Sequence, residues 1–330
     1  MSKRRLSKRQ QTRIREQQDK HLAQAKQAHT PDMADSNGME GTVVANFGVT
    51  VQVEDNAGNS ISCNVRQNME TLVCGDHVIW QQADEQNGIV VALVPRNNFL
   101  ARPDRRGKAR VIAANIDQIL IVSAARPAMN TRLIDRYLVA AETAGIIPVI
   151  VFNKIDLPDA EALAAFQADL LIYTEIGYQV VFTSAKQHQG LAEIQQVLNH
   201  KTSVVVGQSG VGKSSLLNCL LPEAPALVGD VSDSSNKGRH TTTLAQLYHL
   251  PSGGRLIDSP GVREFGLWEV SEEQAASGFI EFRPWLGRCQ FRDCRHGDEP
   301  GCAIRHAVES GEIHPQRWDS YKRILESLAE

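Results

Sequence analysis

A glycine-rich segment at 207–214 has the residue types that bind a nucleoside triphosphate. It reads Gly-Gln-Ser-Gly-Val-Gly-Lys-Ser and matches the phosphate-binding pattern GxxxxGK[ST]. Glycines let backbone N–H groups face phosphate oxygens, while an apolar run before the segment and a predicted helix after it supply the strand and the positive helix end. Lys213 can reach the β- and γ-phosphates, and the Ser214 hydroxyl can ligate Mg²⁺. The predicted phosphate-binding residues are Gly207, Gln208, Ser209, Gly210, Val211, Gly212, Lys213, Ser214 and Ser215.

A second motif, Asn153-Lys154-Ile155-Asp156, follows a buried-strand pattern at 146–152. Ligands of open α/β sheets bind at the carboxyl ends of strands. The Asp156 carboxylate can accept two hydrogen bonds from guanine N1 and N2, and because adenine lacks these donors the site can reject it by roughly 10⁴-fold. Lys154 can cover the base and Asn153 can tie this loop to the phosphate loop.

A third motif, Ser184-Ala185-Lys186, completes the predicted base site, because the Ala185 N–H can donate to guanine O6. Beyond the phosphate loop, Asp258-Ser259-Pro260-Gly261 predicts Mg²⁺ binding through water by Asp258 and γ-phosphate sensing by the Gly261 N–H. The threonines at 241–243 offer a further Mg²⁺ ligand. We take Thr242 first and Thr241 second, the alternative being that these residues merely begin a β-strand.

The residue after this last motif departs from the usual pattern. Many GTPases have a water-orienting glutamine there, whereas this chain has Val262, which cannot orient water. Another group must therefore position the water, and we expect slow intrinsic turnover. His240 and Arg239 are the candidates and His240 is our choice, although a loop histidine is often simply solvated.

The order of these motifs along the chain predicts its architecture. In an ordinary small GTPase the phosphate loop comes first and the two base-binding motifs come last, whereas here the base-binding motifs precede it. Strand and helix patterns alternate from 116 to about 261, as a parallel sheet requires. We therefore predict an α/β, circularly permuted P-loop GTPase domain over 113–275.

The region before this domain has a different pattern. Five short strand candidates separated by Gly-, Asn- and Asp-rich turns indicate a small barrel over 38–100. An OB-fold is our prediction, and such folds commonly bind nucleic acid, while a structural barrel of another kind is the alternative. A basic linker is predicted at 101–112.

The C-terminal region, 276–330, contains three cysteines and a histidine with metal-ligand spacing. Three thiolates and one imidazole form a closed tetrahedral set typical of structural zinc. The predicted zinc ligands are Cys289, Cys294, His296 and Cys302. A predicted helix with Arg317, Trp318 and Tyr321 follows, either as an RNA-binding face or as a cap on the zinc module. The remaining cysteines lack such spacing, which indicates ordinary apolar packing.

Composition restricts the class of protein. The chain has 330 residues, 42% of them hydrophobic, enough for two or three domains with cores. Net charge is −3, yet residues 1–30 hold nine Lys or Arg against two acidic residues. We predict that 1–37 is a disordered basic arm for nucleic acid or a solvated tail without a partner. No apolar run approaches the roughly 18 residues of a membrane helix, so we expect a cytoplasmic protein.

Together these residues resemble the RsgA (YjeQ) family of circularly permuted bacterial GTPases. The resemblance covers roughly 38–325 and includes the motif order, the zinc set and the strings at 238–243 and 258–266. It implies an OB-fold, a permuted GTPase domain and a zinc domain. It also implies contact with 16S rRNA in late assembly of the small ribosomal subunit, and GTP hydrolysis stimulated by that subunit. We expect a monomer that is released or rearranged on hydrolysis.

Two other classes of function are compatible with parts of this pattern. A non-catalytic RNA-binding scaffold would bind nucleotide without turnover even on ribosomes. An RNA-modifying enzyme driven by a triphosphatase would need a second catalytic constellation, and the sequence shows none.

Overall fold

The computed structural model describes residues 38–66, 69–84, 86–103, 109–221, 245–258 and 270–329. Several predicted features lie outside these residues: the basic arm at 1–37, the switch residues Arg239, His240, Thr241 and Thr242, and the segment from Ser259 to Val262 with Gly261. No helix in the described part of the chain is long and apolar enough to span a bilayer.

The N-terminal part is a closed five-stranded barrel, which confirms the predicted OB-fold architecture. Its strands are β1 (Met39–Asn46), β2 (Thr50–Asp55), β3 (Ser60–Val65), β4 (His77–Gln82) and β5 (Asn87–Leu93). They pair in the order β1-β2-β3-β5-β4, and β4 closes the barrel on β1. Alternate residues face inward as a pleated strand requires, so that Val43, Val51, Val53 and Trp80 are buried together.

The segment interpreted as a basic linker contains an antiparallel ribbon instead. Strand β6 (Phe99–Pro103) pairs with β7 (Ala109–Ala114), and Arg102 lies opposite Arg110. Leu100 and Ala113 are fully buried, so the ribbon is anchored by its apolar side chains. The sequence did not predict the ribbon because Leu100 and Ala113 lie among basic residues.

The central part is a parallel sheet with one antiparallel strand. Its order is β10-β9-β8-β11-β13-β12, and only β12 runs antiparallel to its neighbour β13. The strands are β8 (Gln118–Ala124), β9 (Ile147–Asn153), β10 (Gln179–Phe182), β11 (Thr202–Gly207), β12 (Gln246–His249) and β13 (Arg255–Asp258). The helices are α1 (Thr131–Ala144), α2 (Ala160–Ile176), α3 (Leu191–Leu198) and α4 (Lys213–Leu220). Strand β8 is buried along its whole length, as expected for a sheet covered on both faces.

The β12–β13 hairpin joins the sheet to the barrel. Gln246 of β12 pairs with Ala45 of β1. The His249 Nε2 atom lies 2.7 Å from Glu54 Oε2 on β2, at the other end of β12. The barrel therefore continues the sheet at the β12 edge.

The C-terminal part contains helices α5 (Glu272–Gly278), α6 (Ala303–Glu309) and α7 (Pro315–Ala329), with a 3₁₀ turn at Ile280–Trp285. A Ser271–Gln274 capping box begins α5. The proposed domain boundary at 275/276 therefore falls inside a helix. Phe279, Phe282 and Tyr321 form its aromatic core, with ring centroids 4.9–5.6 Å apart.

Candidate functional site

The phosphate loop lies between β11 and α4, at the carboxyl edge of the sheet. Gly207 ends β11 with φ +138, and a Cβ there would lie 2.1 Å from the Val122 carbonyl oxygen of the adjacent strand. Gly212 precedes α4 with φ +92. Only glycine fits these two backbone positions, because other residues would be strained or would clash.

Two polar side chains of the loop and the following helix lie where a phosphate would bind. The Lys213 Nζ donates to the carbonyl oxygens of Gly207 and Gln208, each at 2.7 Å. Ser214 is half-buried in the first turn of α4, and Ser215 is exposed beside it. The loop backbone and α4 therefore present donors at one place, which suits an anion.

Asn153 connects the three predicted nucleotide-binding segments. It ends β9 and is 1% exposed. Its Nδ2 donates to the Val211 carbonyl of the phosphate loop at 3.0 Å. Its Oδ1 accepts from the Thr183 hydroxyl and from the Ala185 N–H, both at 3.2 Å. Segments distant in sequence thus meet on one buried amide.

Lys154 lies against the phosphate loop from the side of the base motif. Its backbone is left-handed, with φ +63, which is uncommon for a residue with a side chain. The Lys154 Nζ donates to the carbonyl oxygens of Gly210 at 2.6 Å and Arg126 at 3.1 Å. The contact with the β8–α1 loop at Arg126 has no sequence signal, because a backbone carbonyl can belong to any residue.

The predicted guanine-reading residues are adjacent. Asp156 Oδ1 accepts from the Ser184 hydroxyl at 2.6 Å, which fixes the carboxylate. Ala185 is buried and Lys186 is exposed next to it. The Ala185 N–H, expected to donate to guanine O6, pairs with Asn153 in this structure.

Asp258 ends β13 at the same edge as the phosphate loop, because β13 and β11 are parallel neighbours. It is half-buried. A serine hydroxyl on α4 and a carboxylate on β13 are oxygen donors of the kind that Mg²⁺ prefers. The other predicted ligand, Thr242, lies outside the described residues, as do His240 and Gly261.

The predicted zinc ligands come together in the C-terminal part. The donor atoms of Cys289, Cys294, His296 and Cys302 all lie within 4.8 Å of one another. His296 Nδ1 lies 3.4 Å from Cys289 Sγ and 3.7 Å from Cys302 Sγ. Zn–S bonds of about 2.3 Å and Zn–N bonds of about 2.0 Å separate tetrahedral ligand atoms by roughly 3.5–3.8 Å. These distances and donors fit a zinc ion.

The electrostatics of this cluster also suit a cation. Burial, followed by the neighbouring Cys289 and Cys302, raises the pKa of the Cys294 thiol to about 12. Burial lowers the pKa of His296 and favours its neutral, ligating form. The Cys294 thiol is therefore protonated at neutral pH unless a bound cation favours its thiolate.

Helix α7 caps the cluster. Trp318 Nε1 donates to the His296 carbonyl at 2.9 Å, and the Tyr321 hydroxyl donates to the Arg295 carbonyl at 2.9 Å. Of the two interpretations of this helix, the capping role accounts for these contacts.

A buried ionic cluster between the C-terminal and central parts has no motif in the sequence. Arg317 is 1% exposed, bonds to Asp135 of α1 and donates to Glu281 at 2.6 Å. Its guanidinium lies 4.5 Å from the Phe279 ring centroid. The sequence did indicate that Arg317 is buried. Arg317, Tyr321 and Ile324 are spaced so that they share one face of a helix. Because Tyr321 and Ile324 are largely apolar, they predict that this face is buried.

Comparisons with known proteins agree with the geometry. A family model described as RsgA GTPase matches residues 93–268. A protein of Dickeya dadantii (strain 3937) is 50% identical over 337 residues, covering 100% of this chain and 97% of its own length. One from Proteus mirabilis (strain HI4320) is 48% identical over 341 residues, with the same coverage. Both are named small ribosomal subunit biogenesis GTPase RsgA.

Two solved structures share the architecture. The crystal structure of YjeQ from Thermotoga maritima has a TM-score of 0.75 and 34% identity, covering 88% of this chain and 99% of its own. That of YloQ, a circularly permuted GTPase, has a TM-score of 0.72 and 29% identity, covering 90% and 98%. The permuted order thus recurs in proteins of the same fold.

Proposed function

The chain belongs to the RsgA GTPase family, and on that premise we propose that it hydrolyses GTP as a late-stage assembly factor of the small (30S) ribosomal subunit. The observation that carries the proposal is the Asn153 amide, which joins the base motif, the Ala185 segment and the phosphate loop in one site. The relatives named for this process match the whole chain.

The base site selects guanine in this proposal. Ser184 holds one oxygen of Asp156 and orients the carboxylate toward N1 and N2 of the base. Lys154 is held against the phosphate loop, so its methylene stem can cover the ring. When guanine binds, the Ala185 N–H leaves the Asn153 Oδ1 atom and donates instead to O6 of the base.

The phosphates lie on the loop between β11 and α4. Lys213 exchanges its two carbonyl partners for the β- and γ-phosphate oxygens. Ser214 and Thr242 would hold Mg²⁺, with Asp258 acting through water, and a bound ion would supply positive charge at these phosphates. The Gly261 N–H senses the γ-phosphate.

Hydrolysis requires a water in line with the γ-phosphorus. The oxygen of this water bonds to that phosphorus, the bond to the β–γ bridging oxygen breaks, and GDP and phosphate leave. Val262 cannot orient the water, so we assign this role to His240 in the switch segment. Contacts with the subunit would favour the conformation in which His240 acts on this water. The small subunit is therefore an activator as well as the partner.

The cysteine–histidine cluster holds one structural zinc ion in this proposal. Zinc prefers this donor set, and its site has no open position for a substrate. The zinc module, with the OB-fold, binds 16S rRNA. Because Gly261 lies eleven positions before the start of α5 at Glu272, we infer that loss of the γ-phosphate acts on the segment that tethers the zinc module. We infer release or rearrangement of a cytoplasmic monomer after hydrolysis.

For the domains we propose an arm at 1–37, an OB-fold at 38–100, a connecting segment at 101–112, the GTPase domain at 113–275 and the zinc domain at 276–330. The β6–β7 ribbon extends beyond both ends of the connecting segment, and α5 crosses the boundary at 275/276.

Turnover of GTP with purified ribosomal subunits tests the function. We expect slow hydrolysis by the protein alone, a large increase with small subunits, and little change with large subunits. Supplying a missing catalytic group accelerates other GTPases roughly 10³–10⁵-fold. Tight GTP binding without turnover, even with small subunits, would identify a scaffold and contradict the proposal.

A further inference from the structure

A polar cleft lies between the barrel and the central sheet, at the opposite edge from the nucleotide site. We call it the junction cleft. It has a volume of about 480 Å³, and the residues used below are His77, Asn97, Asn115, His200, Lys201 and Arg255. Lys201 precedes β11 and the phosphate loop follows it, so about 20 Å of strand separate the two sites.

Lys201 and Arg255 both line the cleft. The Arg255 N–H donates to the Lys201 carbonyl at 2.8 Å, and Arg255 pairs with Thr202, the next residue, in the sheet register. Within the described residues, neither side chain forms an ion pair. The one carboxylate in the lining belongs to Asp117, whose Oδ2 accepts from the Thr202 N–H at 2.7 Å. The wall is thus positive in a chain whose net charge is −3.

Imidazole and amide groups complete the lining. Burial, followed by the charge of Arg255, lowers the pKa of His77, while the carboxylates of Asp76 and Glu40 act in the opposite direction. The His200 ring lies over the β12–β13 turn, where a Cβ on Gly253 would be 3.2 Å from its Cε1. Asn115 fixes the rim by accepting from the Asn97 N–H at 2.9 Å and donating to the Gly75 carbonyl at 2.8 Å.

We propose that the junction cleft binds the phosphodiester backbone of a single-stranded RNA segment through Lys201 and Arg255. Cationic, imidazole and amide donors around a cleft of this volume suit a phosphate flanked by sugars and bases. A strand fits better than a free anion, because the β6–β7 ribbon begins at Phe99, two residues beyond Asn97 of the rim, and carries the exposed Arg110. The donors thus continue beyond the cleft.

This site would connect RNA to the nucleotide. Arg255 begins β13 and Asp258 ends it, roughly 10 Å away at the nucleotide edge. The same hairpin is held by the barrel through Gln246 and His249. RNA bound to Arg255 therefore contacts the strand that leads into the Asp258 motif. This consequence rests on the proposed function, whereas RNA binding in the cleft does not.

The test measures affinity for an oligouridine of about twelve nucleotides at several salt concentrations. Each phosphate contact contributes about 0.7 to the slope of log affinity against log salt for single strands. We expect Lys201→Gln/Arg255→Gln to bind more weakly and to lose about 1.4 from this slope. The matched control, Arg132→Gln/Arg136→Gln, removes the same charge from α1 of the central part and should keep the parent slope.

Several results would overturn the proposal. One is a cleft variant that keeps the slope of the parent protein. Another is a cleft variant and a control variant that lose the same amount from the slope. Cleft-dependent binding of inorganic phosphate without cleft-dependent binding of the RNA would also overturn it, by making this a site for a free anion. Intrinsic GTP turnover should match the parent and shows that the variant is folded. If the double variant does not fold, Lys201→Gln alone should lose about 0.7 from the slope.

Turnover stimulated by small subunits separates the two proposals. A cleft variant with normal intrinsic turnover and reduced stimulation is the expected result. Failure of the parent itself to respond to small subunits would contradict the proposed function, and the oligonucleotide measurement would still decide the cleft.

Discussion

At the residue scale, Asn153 shows how a permuted chain assembles one nucleotide site. Its amide bonds to the phosphate loop on one side and to Thr183 and Ala185 on the other. These partners lie 30 to 58 residues after Asn153 in sequence, yet they surround its side chain. Cutting and rejoining the chain elsewhere leaves this arrangement intact, because it depends on strand ends that meet at one edge of the sheet.

Asn153→Ala should therefore damage both the fold and nucleotide binding. Buried groups left unpaired cost about 1–3 kcal/mol each, so we expect a loss on the order of 2 kcal/mol in stability and a clear loss of GTP affinity. Urea unfolding and GTP titration measure the two effects. Asn56→Ala, at an exposed turn of the barrel, is the control. Equal stability and affinity in both variants would show that the buried amide is dispensable.

Gly212→Ala tests the close approach at the phosphate loop. A Cβ there would lie 2.4 Å from Asn153 Nδ2, which cannot move freely because it is hydrogen-bonded. Gly48→Ala is a matched control, because the φ of Gly48 is +93 and that of Gly212 is +92. No atom lies within 4 Å of a Cβ added at Gly48. The left-handed backbone costs both variants roughly 1–2 kcal/mol. Gly212→Ala should lose more stability than the control and most of its GTP affinity, and a matching loss in both would refute the steric argument.

The sequence predicted the residue types of this site better than their contacts. The link from Asn153 to the phosphate loop is predictable because both belong to recognisable motifs. The bonds from Lys154 to Arg126 and from Ala185 to Asn153 depend on how loops from different strands fold together. Sequence spacing does not specify such contacts.

At the element scale, regular hydrophobic patterns predicted strands and helices correctly, whereas a short, interrupted pattern did not. Short strand candidates between turn-forming residues predicted the barrel, and apolar runs predicted β9 and β11. The β6–β7 ribbon was missed because Leu100 and Ala113, its buried anchors, lie among basic residues. The C-terminal helix was foreseen, but its two possible roles could be separated only by the contacts of Trp318 and Tyr321.

The zinc module gives a prediction at this scale. We expect one zinc ion per chain in protein purified without chelators, measured by elemental analysis. Structural zinc contributes on the order of 10–16 kcal/mol of apparent binding free energy in small peptides. Chelation should therefore loosen the packing of α7, because its Trp318 is bonded to the His296 carbonyl, and Trp318 fluorescence reports this change. Cys302→Ser should show the same change, whereas Cys63→Ser should retain zinc. Metal-free protein with unchanged fluorescence would contradict the assignment.

At the scale of the whole molecule, Arg317 ties the zinc module to the GTPase domain. It lies between Asp135 of α1 and Glu281 of the 3₁₀ turn, which are themselves nearly buried. Removing one member of a buried ionic cluster leaves its partners uncompensated and typically costs about 3–5 kcal/mol.

Arg317→Met should accordingly destabilise the protein in urea by several kcal/mol, about 3–5 on this principle. Arg305→Met removes an exposed arginine that pairs with Glu309 on the same helix, and it should have little effect. Limited proteolysis between the domains should accelerate only in the Arg317 variant. Equal unfolding curves for the two variants would show that the domains are held together by other contacts.

In the proposed function, the small ribosomal subunit activates one guanine-nucleotide site, whose base is recognised by Asp156. Turnover of GTP, xanthosine triphosphate and ATP by the parent and by Asp156→Asn, with and without small subunits, tests it most directly. An asparagine amide can donate to O2 of xanthine, whereas the aspartate accepts from guanine. We predict that small subunits stimulate turnover of GTP by the parent and of xanthosine triphosphate by the variant, with little turnover of ATP by either. Equal turnover of ATP and GTP by the parent, or rates unchanged by small subunits, would contradict the account.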